Sequence, residues 1–407
     1  MQSPSKISGA SASSTTTPAV RGLQGWADLP EDLIQSIIPL LGSILELLAF
    51  AGTCRSWRAA FSSHPSKSTF CTLLPPLLVL PHISVRVRHV HKLCVCLALD
   101  PTNSKSTLHC LARKRKKKST LRCKVPEEVF FGKMFFVGSS YGQLICGGGK
   151  NCLVVDVFTG AKVLPPQLPF VRNTYFYSGM LTAPLASHNS HLLVCAASSE
   201  HSTQSSLLDW PVGSDSWSEL QLDNSWIEQI VEFNGQFIAM DSRYRLYTLS
   251  LAPHLGLQEI ATVRWDGTGE CPYLSPSIVL CGDMLLMVDH KITLRSGGAP
   301  VKYKAHRLDM STVPASWVEV KLENHALFLG KDARSPVFSC VSPGRWAGQS
   351  NCLYYCGMYQ PWILNGLGDE ADTVWDPTND LDTVGKRNRY LVARQPFWAY
   401  PSMFYSN

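Results

Sequence analysis

The chain has 407 residues and a formal net charge of +6; 45% of its residues are hydrophobic and 17% charged. That composition supplies a sizeable core without lipid and suits two domains, one small and one large. It speaks against a secreted or membrane-embedded protein. The first 25 residues are rich in Ser, Thr and Ala and lack an apolar run, and the apolar stretch from Leu73 to Pro81 is short and broken by Pro75 and Pro76.

Residues 1–25 read as a disordered tail, because such a polar tract buries too little apolar surface to order itself. Helical patterning begins at Trp26. Asp28 is an N-cap type residue ahead of Leu29-Pro30, and Glu31 and Asp32 follow at the positive end of the helix dipole. Leu33, Ile34, Ile37, Ile38 and Leu41 recur at helical spacing, and Pro39 and Gly42 end or kink that helix. Ser43 caps a second helix, with Glu46 at the capping-box position. Leu47, Leu48, Ala51, Cys54 and Trp57 follow, and a third helix begins near Ser56. The module over residues 26–65 is too small to bury all these apolar side chains alone. Two other readings fit it less well. Leu33 to Gly52 has about the length of a membrane span, but Gln35, Ser36, Pro39, Gly42, Ser43 and Glu46 interrupt it. The other reading is a plain helical hairpin packed on the body.

Three landmarks stand in order: Leu29-Pro30-Glu31-Asp32-Leu33, an apolar middle, and Thr53-Cys54-Arg55-Ser56-Trp57-Arg58. In these the segment resembles the F-box. The resemblance implies docking on the Skp adaptor of a cullin-type ubiquitin ligase, with Leu29, Pro30, Leu33, Ile34, Ile37, Leu48, Cys54 and Trp57 facing the adaptor. Pro39 and Ala51-Gly52-Thr53 depart from the family pattern.

From about residue 80 to 407 the pattern changes to short runs of Val, Leu, Phe, Tyr and Cys separated by Gly, Asn, Asp, Ser or Pro, which predicts an antiparallel all-β domain. Hairpins are expected around Gly147-Gly148-Gly149-Lys150-Asn151, Asn234-Gly235 and Cys281-Gly282-Asp283; Asn-Gly favours a type I′ turn. Paired runs repeat at roughly 45 to 55 residues. They are Leu207-Leu208-Asp209-Trp210 with Ser216–Leu220, Leu246–Leu249 with Leu257–Ile260, and His306–Met310 with Ser316–Val320. That period predicts a kelch-like β-propeller of six or seven blades behind the all-α module, with a β-sandwich pair as the alternative.

The body also resembles a plant family that carries an F-box ahead of a kelch-like "domain of unknown function 295". The matching residues are Val137–Leu144, Asp156–Gly160, Leu164–Pro166, Phe233–Phe237, Asp241-Ser242, Ala326–Gly330, Asn351–Tyr355 and Phe397–Pro401. Gln143 stands where the family usually has Trp. The resemblance implies an architecture and an adaptor link but no cargo.

The remaining motifs carry less. Arg113, Lys114, Arg115, Lys116, Lys117 and Lys118 form the densest charge run, which fits a nuclear localisation signal or a solvated loop. It lacks the interleaved aromatics of a nucleic-acid platform. The 14 cysteines sit mostly in apolar strand-like runs, as free thiols do in a reducing compartment. Cys352 with Cys356, and His89 and His91 with Cys94 and Cys96, lack zinc-site spacing. Gly147-Gly148-Gly149-Lys150 fails as a phosphate loop on spacing and leads into a strand. No Gly-x-Ser-x-Gly occurs, and Asp283, Asp289 and His290 are a chance neighbourhood. Trp217, Trp317, Trp375 and Trp398 are expected to fill spaces between blades. The expectation is therefore a non-enzymatic substrate receptor, without cofactor or metal, of a Skp–cullin–F-box ubiquitin ligase. Its partners are the Skp adaptor, through it a cullin, and a target protein, and it acts in the nucleus or cytoplasm. The alternatives are a propeller-type enzyme or ligand-binding module with a helical extension, and a basic nucleic-acid scaffold.

Overall fold

The computed structural model describes residues 25–86, 89–97, 120–123, 134–156, 158–170, 174–197, 204–263, 276–292, 299–330, 334–356, 362–375 and 396–405. The expected N-terminal tail, Gly25 apart, and the basic run from Arg113 to Lys118 lie outside these residues.

Four α-helices come first: α1 (Glu31–Ile37), α2 (Ile44–Thr53), α3 (Arg55–Ser63) and α4 (Phe70–Leu73). The start of α1 corrects the expectation at Asp28. Leu29 is extended (φ −62°, ψ 140°) because the ring of Pro30 bars it from the helical region, so the helix begins two residues later, with Pro30 as its N-cap. Asp28 instead lies in a 3₁₀ turn, Trp26–Asp28, where its carboxylate accepts the Gly25 N–H at 3.2 Å. Pro39 does end α1; the chain tightens into a 3₁₀ turn over Ile38–Leu40. Ser43 caps α2 as expected, its Oγ accepting the Glu46 N–H at 3.2 Å, while the Glu46 carboxylate takes the Gly42 N–H at 2.7 Å.

The remainder is a ring of four-stranded sheets. Five blades are made of consecutive strands. The first is β4 (Phe135–Ser140), β5 (Gln143–Gly148), β6 (Asn151–Asp156) and β7 (Lys162–Val163). The second is β8 (Tyr175–Leu181), β9 (His191–Ala197), β10 (Ser205–Pro211) and β11 (Ser218–Leu222). The third is β12 (Ile227–Phe233), β13 (Gln236–Asp241), β14 (Leu246–Ser250) and β15 (Gly256–Ile260). The fourth is β16 (Ser277–Cys281), β17 (Met284–Ile292), β18 (Ala299–Asp309) and β19 (Ser316–Val320), and β24 (Glu370–Trp375) also pairs with β18. The fifth is β20 (His325–Gly330), β21 (Phe338–Val341), β22 (Cys352–Cys356) and β23 (Ile363–Gly366). A composite sheet closes the ring: β25 (Phe397–Ala399) pairs with β1 (Leu77–Arg86), which continues to β2 (His89–Leu97) and β3 (Thr120–Cys123).

The expected six or seven blades therefore give way to five continuous blades plus a sheet shared by both ends of the body. The expected repeat falls on the third and outer strands of the second, third and fourth blades. The fifth blade is not a simple meander. Its β20 and β22 are parallel neighbours, joined through β21 and a 3₁₀ turn at Pro343–Trp346. All three named hairpins form where expected. Asn234 and Gly235 both have positive φ (51° and 74°), as a type I′ turn requires. Gly149-Lys150 leads into a strand, which removes the phosphate-loop reading. Blades are held together by apolar side chains facing each other across each gap. Val137, Ile145 and Val154 meet Leu192, Val194 and Leu208, and Phe328 and Tyr354 meet Leu78 and Trp398. Trp217, Trp317 and Trp398 fill such gaps as expected, and the side chain of Trp375 lies outside what is described.

The helices do not form a separate core. Ile34, Ile38, Leu47, Phe61 and Phe70 share one apolar cluster with Leu144, Val155, Phe397, Tyr400 and Phe404. Phe404 meets Phe61 edge-on at 5.5 Å and Phe70 at 6.4 Å. The hydroxyl of Tyr400 (2.6 Å) and the thiol of Cys340 (3.0 Å) both donate to the Leu74 carbonyl.

Candidate functional site

The first site is the uncovered face of the helices. Helix α1 is apolar on two sides, but only one is covered. Ile34 and Ile38 are fully buried against the shared core. Leu33 lies on the other side of α1, and Leu40 stands out from the 3₁₀ turn that follows it, while Leu29 is half-buried against the core. Trp26 is 76%, Leu33 53% and Leu40 80% exposed. Pro30 is exposed, and Leu29, Ile37, Leu48, Cys54 and Trp57 are half-buried. A short helix with apolar residues on a side its own protein leaves open is suited to a partner.

Local hydrogen bonds fix this face. The Trp57 indole N–H donates to the Trp26 carbonyl at 2.9 Å, the Ser56 hydroxyl donates to the Ala27 carbonyl at 2.8 Å, and the Trp57 ring lies 4.6 Å from Phe50. Gln35 ties α1 to α3, donating to the Ala60 carbonyl at 2.7 Å and to Ser63 at 3.0 Å. Cys54 caps α3 at its positive end, and its hydrogen bond with Ser56 holds the thiol pKa below the ordinary value. Of the eight residues assigned to the adaptor face, seven reach the surface. Ile34 is 1% exposed and packs inward, because it lies one helical position from Leu33 and so on the buried side. Trp26 and Leu40 are more exposed than Leu33 and carry no landmark of the motif.

The second site is a cavity of about 300 Å³ on the propeller axis. The inner strands of all five continuous blades line it, through Val137, Ser178, Glu228, Ile278 and Phe338. Glu232, Arg334, Tyr141 and Tyr405 also line it. The Tyr141 hydroxyl donates to the Thr182 carbonyl at 3.1 Å and stands edge-on to Tyr405 at 5.3 Å between ring centres. Burial, and then the Glu232 carboxylate beside it, push the Tyr141 pKa up to about 12.

The sequence candidates for chemistry do not converge. Asp289 and His290 are buried next to each other on β17, with Nδ1 and Oδ1 3.9 Å apart, while Asp283 lies in the preceding turn. Burial pushes the His290 pKa down to about 4. Cys352 and Cys356 sit on one strand; the Cys356 thiol donates to the Pro396 carbonyl at 3.2 Å. Among the described residues no group of three or more potential metal ligands comes together, and no helix is long and apolar enough to cross a membrane.

A family model described as the KIB1-4 beta-propeller matches residues 109–385, more than half of the chain. The chain belongs to the KIB1-4 beta-propeller family. The match speaks to the propeller and leaves the helices aside. No curated protein matches the chain. Among solved structures, similarity extends to an S. cerevisiae assembly of dbp5 with nup159, gle1, IP6 and ADP, at 12% identity and a TM-score of 0.29, covering 61% of this chain and 64% of that one. It extends also to a hypothetical selenium-binding protein of Sulfolobus tokodaii, at 11% identity and a TM-score of 0.27, covering 64% and 93%. The chain thus spans less than two thirds of the first of these. Likeness at this level says nothing about function. For the KIB1-4 member described here, the propeller fold itself suggests a protein-interaction module.

Proposed function

We propose that this protein is the substrate-recognition subunit of a Skp–cullin–F-box ubiquitin ligase. The helices dock on an Skp-type adaptor, and the propeller holds a target protein for modification by the other subunits, acting in the nucleus or cytoplasm. The observation that carries the reading is the open apolar surface of α1 and the 3₁₀ turn after it, where Leu33 and Leu40 are exposed beside a core that Ile34 and Ile38 already fill. The order of landmarks from Leu29 to Arg58 supports it. An interface of this kind draws its energy from a few apolar anchors.

The test is co-expression with Skp adaptors followed by affinity capture, with a Leu33→Glu/Leu40→Glu variant alongside. Both side chains are solvent-facing, so the variant keeps its fold, as circular dichroism would verify. Trp57→Ala is a poorer probe, since it also removes the ring contact with Phe50 and the hydrogen bond to Trp26. Capture by the wild type that disappears in the double variant supports the proposal. A wild type that captures no adaptor among several paralogues overturns it.

A further inference from the structure

The axial cavity combines an apolar wall with three charged residues, Glu228, Glu232 and Arg334. Met180, Ile230, Ile278 and Leu280 supply the wall. Glu228 sits at a β-bulge: β12 pairs Ile227 with Asp241 and Gln229 with Met240, so Glu228 has no opposite residue on β13. A bulge re-aims the side chain at its extra residue. Here it brings a carboxylate into the cavity lining, with Oε2 shielded from solvent. Glu232, four residues on, lies about 13 Å further along the strand at the usual rise. It is exposed and is held beside the Tyr141 hydroxyl. Arg334 offsets one of the two carboxylates, so the lining keeps a net charge of one negative unit. An anion entering this space would meet that net charge, and a wholly apolar ligand would strip water from the exposed Glu232 carboxylate without replacing it.

We propose that this cavity binds an aliphatic cation, a run of methylenes ending in an ammonium or guanidinium group. The methylenes lie along the apolar wall, and the cationic end meets the exposed Glu232 carboxylate in place of water. Two sources offer this chemistry: a Lys or Arg side chain of a bound protein, and a free polyamine. The inference does not rest on what the helices bind. At about 300 Å³ the cavity is at the small end of ligand pockets, which suits one extended chain.

Titration calorimetry on the full chain tests it with three probes: N-acetyl-arginine amide, its uncharged isostere N-acetyl-citrulline amide, and spermidine. At least one cation binds saturably, and where the arginine amide binds, the citrulline amide binds at least about tenfold more weakly, since a charged hydrogen bond is lost. Spermidine binding without the arginine amide assigns a free polyamine, and the reverse assigns a protein side chain. Glu232→Gln weakens the cation by a similar factor, whereas Glu323→Gln, on an exposed turn outside the cavity lining, changes nothing. The proposal is overturned if neither cation binds at millimolar concentration, if the citrulline amide binds and does so as tightly as the arginine amide, or if Glu232→Gln binds like the wild type.

Discussion

At the scale of single residues, burial decides chemistry. His290 is 5% exposed on β17, and burial holds it neutral with a pKa of about 4, against 6.5 when free. Unfolding therefore takes up a proton between those values. The stability that His290 contributes is complete above pH 6.5 and is lost as pH falls towards about 4, by up to about 3 kcal/mol. Urea midpoints measured from pH 7.5 to 4.5 should fall for the wild type and fall less steeply in His290→Phe; parallel curves would show that His290 is not the group responsible. Residue patterns also mark where inference from the chain stopped. Leu33 and Ile34 are both apolar and adjacent, so the F-box likeness assigned both to the adaptor. Only the packed fold separates the outward side chain from the inward one. Glu228 had no sequence signature at all, because a bulge depends on the partner strand.

At the scale of elements, local chemistry was legible and distant pairing was not. Asn234-Gly235 and Ser43 with Glu46 carry their instructions within a few residues, and each forms as read. The start of α1 was misplaced because Leu29-Pro30 has two local effects, a favourable first-turn proline and an unfavourable preceding residue, and the second won. The blade count failed because β1 finds its partner at Phe397–Ala399, far beyond any window of periodicity. One hairpin shows how tightly the ends are joined. Gly142, at φ 75° in the β4–β5 turn, leaves a Cβ position only 2.3 Å from the Ser402 backbone nitrogen. Gly142→Ala meets both a disfavoured backbone and a backbone clash and should cost about 3 kcal/mol or more. A thermal melt unchanged from wild type would show that this contact is not rigid.

At the scale of the whole molecule, the helices and the propeller are one cooperative body. Phe61 and Phe70 on the helices, and Tyr400 and Phe404 at the far end of the chain, occupy one cluster. Calorimetry should give a single unfolding transition, and residues 25–74 alone should stay unfolded for want of the propeller half of their core. Two resolved transitions would contradict the shared core. The composite sheet has a consequence in time as well as in space. During synthesis, β1 emerges early and has no partner on its inner edge until Phe397–Ala399 follows, and Phe61 and Phe70 wait as long for Phe404. A partly made chain therefore keeps an open strand edge and a bare aromatic patch, both recognisable to chaperones. Only a polypeptide made as far as Phe404 can seat its helices, so the packed helices report that the propeller strands between have already been synthesised.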